Sequence, residues 1–245
     1  DRSRTQSSDR SRTQSSDKSR TQSADKSRTQ SSDNSRTQKI GVVAFDFPAH
    51  GESPVDGTHL RIENCINDLM SAVAFAKAAA PAARIINFGS SFGAYITMLY
   101  ITRLNTSRDA AGSLAETTVQ PYVVKAFLRS AAVNMPELFE EPAPDDAEQL
   151  ARDGYVIMDY EPRNLKITSE FIADLQANNL FKCFVKGDAQ LKMIHGTADE
   201  DIDYAKAVAF AYQYDIELIS VQGGDHRLSI PGAPEKVVEE VLKFI

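Results

Sequence analysis

The sequence has few cysteines, few histidines and no long apolar run. Two cysteines, Cys65 and Cys183, do not make a disulfide framework, and a cytoplasmic location is expected from them. No stretch of 18 or more apolar residues is present, which excludes a membrane-spanning helix. The first residues contain no apolar h-region, so no signal peptide is expected. Residues 1–38 lack every aliphatic side chain larger than Ala24 and every aromatic one. Such a segment buries too little apolar surface to offset its conformational entropy, and disorder is expected there. Histidine occurs four times, at His50, His59, His195 and His226, which leaves few candidates for a general base.

What those first residues do contain is repetition. Residues 1–8 and 9–16 are identical, and residues 17–24, 25–32 and 33–38 vary the same octapeptide. The eight-residue period suits neither a helix face nor a strand face, and nothing apolar recurs for repeats to stack on. A solvated low-complexity tail is expected, with phosphorylation or weak nucleic-acid contact as its functional reading. The tail holds 9 Lys/Arg against 5 Asp, while residues 39–245 hold 18 basic against 29 acidic residues. That acidic body argues against nucleic-acid binding by the folded part.

The body of 207 residues, 39–245, is long enough for one α/β domain. "IGVVAFDF" (Ile40–Phe47) is a β-branched and aromatic run that predicts a buried parallel strand. Ile62, Ile66, Leu69, Met70 and Val73 recur at helical spacing, and Pro81 closes that helix. Further strands are expected at Arg84–Phe88, Tyr122–Val133, Leu191–Gly196 and Ile216–Val221. Helices are expected at Ala94–Leu104, around 202–212, and around 237–245 after Pro234. Residues 136–186, with four prolines, predict an irregular insertion with short helices such as Thr168–Asn178. Strands alternating with helices specify a mostly parallel sheet flanked by helices.

Chemistry concentrates in three places. Gly89-Ser90-Ser91-Phe92-Gly93 fits G-x-S-x-G between a strand and a helix, where a tight turn calls for small residues flanking the serine. Ser91 is then a candidate nucleophile, and the Phe92 N–H a candidate oxyanion donor at a helix N-terminus. His226, in the loop after the last strand, is the candidate base. Asp199, just past the preceding strand, is the candidate acid, with Asp201 as runner-up. Glu200, Asp201 and Asp203 are also what a solvated helix start favours. A metal at His195 and Asp199 is disfavoured because no second histidine stands at ligand spacing. No metal or cofactor is expected.

"FGSSFGAY", "IHGTADEDI" and "GGDHRLS", in that order, resemble the α/β-hydrolase superfamily, most nearly bacterial serine esterases of acyl-peptidase-like and feruloyl-esterase-like groups. "VVAFDFPAHGES" resembles their D-x-x-G-H-G-x-S segment, and "LKITSEFIADLQANNLF" resembles the end of their cap. The resemblance implies a hydrolase fold with a helical cap insertion over about 136–186. It implies Ser91 as nucleophile, His226 as base and Asp199 as acid, acting through an acyl-enzyme on a small acyl ester or thioester. Peptidase or amidase activity is the nearest alternative. Members of that superfamily have three more strands before the one matching Ile40–Phe47, and the third supplies the second oxyanion donor. Here the repeats stand in that place, so an N-terminally truncated sheet is expected and the second donor is not identified. One consequence is testable on the structure: Ile40–Phe47 could pair directly with Arg84–Phe88. The competing functions are a non-catalytic or decayed hydrolase-fold protein acting in binding, and an interaction protein whose working part is the repeat tail.

Overall fold

The computed structural model describes residues 39–111, 123–160 and 163–245. The expected tail at 1–38 lies outside them. The chain divides into two units, Asp1–Gly41 and Val42–Ile245, and the helices and strands of the described residues belong to the second.

That second unit is built on a four-stranded parallel sheet of order β1-β2-β5-β6. The strands are β1 (Ile85–Ser90), β2 (Val123–Arg129), β5 (Gln190–Gly196) and β6 (Glu217–Val221). Each later strand adds to the same side, joined by helical crossovers: α2 (Phe92–Ala111) after β1 and α6 (Tyr204–Gln213) after β5. Before β1 comes α1 (Ile62–Ala79), and α7 (Ala233–Phe244) ends the chain. Between β2 and β5 lie α3 (Pro144–Asp153), the antiparallel hairpin β3 (Tyr155–Tyr160) and β4 (Arg163–Thr168), α4 (Ser169–Ala177) and α5 (Leu180–Cys183). The insertion expected to be helical therefore also holds a hairpin.

The central strands read as continuous apolar runs because both faces are covered. Along β2, Ala126 and Leu128 face one core with Leu69, Tyr95, Met98 and Phe210. Phe127 between them faces the other core with Ile194, Val221 and Val237. Helices α1, α2 and α6 contribute to the first core, and α7 closes the second. Local chemistry sets the helix starts. Thr168 Oγ1 accepts from Phe171 N at 3.2 Å to cap α4, and Asp203 Oδ1 accepts from Ala205 N at 2.8 Å to cap α6. Arg61 is the N-cap residue of α1, but its side chain makes no cap. Asp174 of α4 substitutes, accepting from Ile62 N at 3.3 Å while paired bidentately to Arg61 at 2.6 and 2.8 Å.

The expected strand at Ile40–Phe47 does not form. Residues 39–47 carry no ladder, and among the described residues β1 pairs only with β2. Direct pairing of that segment with Arg84–Phe88 is thereby ruled out. Val42 is 85 % exposed, and Val43 and Phe45 are exposed too. The run has strand composition, but a strand exists only where a partner takes its N–H and C=O groups. Only its last residue docks: Phe47 packs against the main core and meets Phe92 edge-on at 5.8 Å. The turn after it is tightly built. Asp46 accepts from Glu52 N at 2.9 Å, and a Cβ on Gly51 would lie 2.3 Å from the Asp46 carboxylate. Ala49, where the resembled motif has glycine, sits at φ 63°, a left-handed conformation costly for a residue with a Cβ.

Candidate active site

The C-terminal ends of β1, β5 and β6 lie at the same edge of the parallel sheet, with β2 between β1 and β5, and the loops leaving them carry Ser91, Asp199 and His226. Ser91 N donates to Arg129 O at 2.9 Å, continuing the β1–β2 register past Ser90. The chain then turns into α2 within one residue. Ser91 itself has φ 51°, so the reversal is made at the serine and not at a glycine; such strain is held by surrounding structure at functional sites. The two flanking glycines are not equivalent. A Cβ on Gly89 would lie 2.7 Å from Ala94 Cα, whereas one on Gly93 would meet nothing closer than Phe47 at 3.9 Å. The need for a small residue therefore holds on the strand side and not on the helix side.

His226 bridges the other two residues. Its Nε2 is 2.9 Å from Ser91 Oγ, and its Nδ1 is 2.9 and 3.1 Å from Asp199 Oδ2 and Oδ1. A carboxylate only accepts, so Nδ1–H donates to Asp199 and the Nε2 lone pair is left to accept the Ser91 hydroxyl proton. His226 and Asp199 are buried. Phe92 is the first residue of α2, so its N–H is among those without an intrahelical acceptor.

The loop carrying His226 rests directly on the loop carrying Asp199. Ala198 N donates to Gly224 O at 3.0 Å, Thr197 N to Val221 O at 3.0 Å, and Gly223 N to Thr197 Oγ1 at 2.8 Å. Gly196 makes this contact possible, since a Cβ there would lie 2.1 Å from Gly224 O.

Asp199 is held from several sides. Asp201 N and Ile202 N donate to Oδ1 at 3.0 and 2.8 Å. Asp201, the runner-up acid, is exposed and contributes its backbone N–H instead. Burial pushes the Asp199 carboxyl up. Hydrogen bonds from His195, His226 and Ile202 N outweigh that effect and hold it well below the usual carboxylate range. No group of three metal-ligating side chains occurs among the described residues, and His195 faces Asp199 within the protein. Around Phe92 stands an aromatic cluster: His50 stacked at 5.1 Å, Tyr95 at 6.0 Å, Phe47, and Phe171 of α4 at 5.9 Å. Spacing in the sequence points neither to this cluster nor to the fit of Gly196 against Gly224. The His-Gly pair closing β5 was the one local sign of the second.

A parallel sheet with helices on both faces, and a serine, a histidine and a carboxylate gathered at its C-terminal edge, define an α/β hydrolase. The Hydrolase_4 family, described as serine aminopeptidase, S33, matches residues 32–229, and the chain belongs to that family. The solved structures agree in fold. A putative hydrolase from Agrobacterium vitis S4 is similar at a TM-score of 0.66 and 23% identity, covering 82% of this chain and 74% of that one. Est1E from Butyrivibrio proteoclasticus, solved with ferulic acid, is similar at 0.57 and 19%, covering 81% and 75%. A monoacylglycerol lipase from Paleococcus ferrophilus is similar at 0.58 and 15%, covering 82% and 80%. No curated protein matches the chain. Among the described residues, no helix is long and apolar enough to cross a membrane.

Proposed function

We propose that the protein is a serine hydrolase that cleaves small acyl esters through an acyl-enzyme. The observation that carries this reading is the linear relay from Ser91 Oγ to His226 Nε2 and from His226 Nδ1 to Asp199, at 2.9 Å on each side. In the first half-reaction Ser91 Oγ bonds to the acyl carbon while His226 Nε2 takes the hydroxyl proton. The carbonyl oxygen becomes an oxyanion and is stabilised by the Phe92 N–H and the α2 N-terminus. His226 then gives its proton to the departing alkoxide. In the second half-reaction a water loses a proton to His226 and attacks the acyl carbon. Collapse frees the carboxylic acid and returns the proton to Ser91 Oγ. Asp199 keeps the imidazole in the productive tautomer and offsets the charge of the imidazolium.

The aromatic cluster about Phe92 supports an apolar acyl group, with the insertion at 136–186 reaching it through Phe171. Ester cleavage is the preferred reading over amide cleavage, whose poorer leaving group demands more of the oxyanion site, and Phe92 is the one donor identified. A second reading, a hydrolase fold retained for binding, is favoured by one observation: among the described residues, the outer edge of β1 has no ladder partner.

A fluorophosphonate probe separates the two. The full chain is expected to label, Ser91→Ala to stay unlabelled, and p-nitrophenyl acetate hydrolysis to fall to background in that variant. Equal labelling of both proteins, or none of either, would remove Ser91 as an activated nucleophile.

A further inference from the structure

His195 is the next-to-last residue of β5, four residues before Asp199, and neither side chain is exposed. Its Nε2 stands 3.0 Å from Asp199 Oδ2 and 3.0 Å from Ile202 O. A backbone carbonyl can only accept, so Nε2 carries a proton, and that proton is shared between the carbonyl and the carboxylate. Nδ1 is buried with no hydrogen-bond partner among the described residues. A proton there would be a buried, unpartnered donor, so the ring is held in one tautomer.

The consequence falls on Asp199. Its Oδ1 accepts from the N–H groups of Asp201 and Ile202. Its Oδ2 accepts from His195 Nε2 and His226 Nδ1. His226 Nδ1 also reaches Oδ1, at 3.1 Å, so both oxygens are occupied by donors and neither keeps a free in-plane lone pair. A carboxylate so occupied has no freedom to turn about its Cβ–Cγ bond. The lone pair offered to His226 is therefore fixed in direction by the other donors: the two backbone N–H groups on Oδ1, and His195 Nε2 beside His226 on Oδ2.

We propose that His195 is a positioning residue for the hydrolytic relay: its Nε2–H locks the Asp199 carboxylate in the orientation that aligns His226 on Ser91. The proposal rests on the serine-hydrolase reading for its effect on rate, but not for its effect on the Asp199–His226 hydrogen bond. His195 touches no reacting atom and acts only through Asp199.

The test uses the full chain and two variants. His195→Gln places an amide N–H near the position of Nε2, so it keeps the donor. His195→Leu removes it. Two quantities are read: kcat and KM on p-nitrophenyl acetate, and the downfield proton resonance of the His226 Nδ1–H bonded to Asp199. Melting curves check that each variant is folded. The expected result is a kcat within about threefold of wild type for His195→Gln, with the resonance retained. His195→Leu is expected to lose about tenfold or more in kcat at little-changed KM, as for a lost hydrogen bond to a charged group, with the resonance moved or broadened away. A folded His195→Leu with wild-type kcat and an unmoved resonance overturns the proposal. So does a folded His195→Gln that loses as much as His195→Leu, because the ring and not its N–H would then matter. Should His195→Leu fail to fold, His195→Gln decides alone: retention of kcat and resonance supports the proposal and their loss overturns it. Should the wild type turn over no ester, the hydrolase reading fails by itself, and the resonance in the two variants still decides the role of His195.

Discussion

Replacing Gly196 by alanine tests whether the contact between two loops, more than any catalytic side chain, sets the alignment of the site. The added Cβ would lie 2.1 Å from Gly224 O, 2.5 Å from Gly224 C and 2.8 Å from Asp225 O. All three are backbone atoms and cannot rotate away. An ordinary Cβ contact begins at 3.4 Å, so the loop must retreat by more than 1 Å. That loop carries His226 two residues further on. Its retreat also stretches the 3.0 Å bond from Ala198 N to Gly224 O, which ties it to the Asp199 loop. Overpacking of this kind costs about 1–3 kcal/mol of stability. A displacement of about 1 Å between reacting groups costs up to about 10²-fold in rate. Ester hydrolysis by Gly196→Ala is therefore expected to fall about 10- to 100-fold in kcat, while urea unfolding shows a folded protein with a lower midpoint. Gly93→Ala is the control: it stands two residues from Ser91, but its Cβ would touch only Phe47 at 3.9 Å. It is expected to stay within a few-fold of wild type. A Gly196→Ala enzyme with unchanged kcat, or a Gly93→Ala enzyme equally impaired, would refute the reasoning.

Ala49→Gly should stabilise the protein, since relief of a left-handed alanine (about 1–2 kcal/mol) exceeds the entropy a glycine adds to the unfolded chain (about 0.4–1 kcal/mol); a raised urea midpoint checks it. Burial pushes the Cys65 thiol up to about 12, so Cys65 should resist a thiol reagent at pH 8 in the native protein and react on unfolding, as read by mass spectrometry of the labelled peptides. The carboxyl of Asp199 is lowered on folding, so its contribution is complete above the unfolded value of about 3.9 and is lost as pH falls toward the lower folded one. Asp199→Asn should accordingly lose less stability than wild type between pH 6 and pH 3, measured by urea unfolding at each pH.

The order of strands and helices was legible because both buried faces of a parallel sheet demand apolar residues. The runs at Leu191–Gly196 and Ile216–Val221 carry that demand in their composition alone. The same logic misled at Ile40–Phe47, where the composition of a strand is present but no neighbouring strand takes its backbone. Ser91, Asp199 and His226 were legible as candidates because each lies within a few residues of the end of an apolar run, and in a parallel sheet every such exit lies at one edge. His195 could be read only as a disfavoured metal ligand, because four residues of spacing do not say that a turn folds Asp199 back onto the ring.

By itself the sequence determined the class of fold and pointed to three side chains, Ser91, Asp199 and His226, as candidates at one edge of the sheet. Those follow from periodicity and from chain order, which are local properties. Only the tertiary structure decided that Gly196 must be bare for Gly224 to rest on it, that Gly93 need not be, and that His195 stands against the Asp199 oxygen that His226 also meets. It also decided that the apolar run before Pro48 stays unpaired. Each of these depends on what a distant segment places within a few ångströms, and that distance is set by packing, which no single stretch of sequence contains.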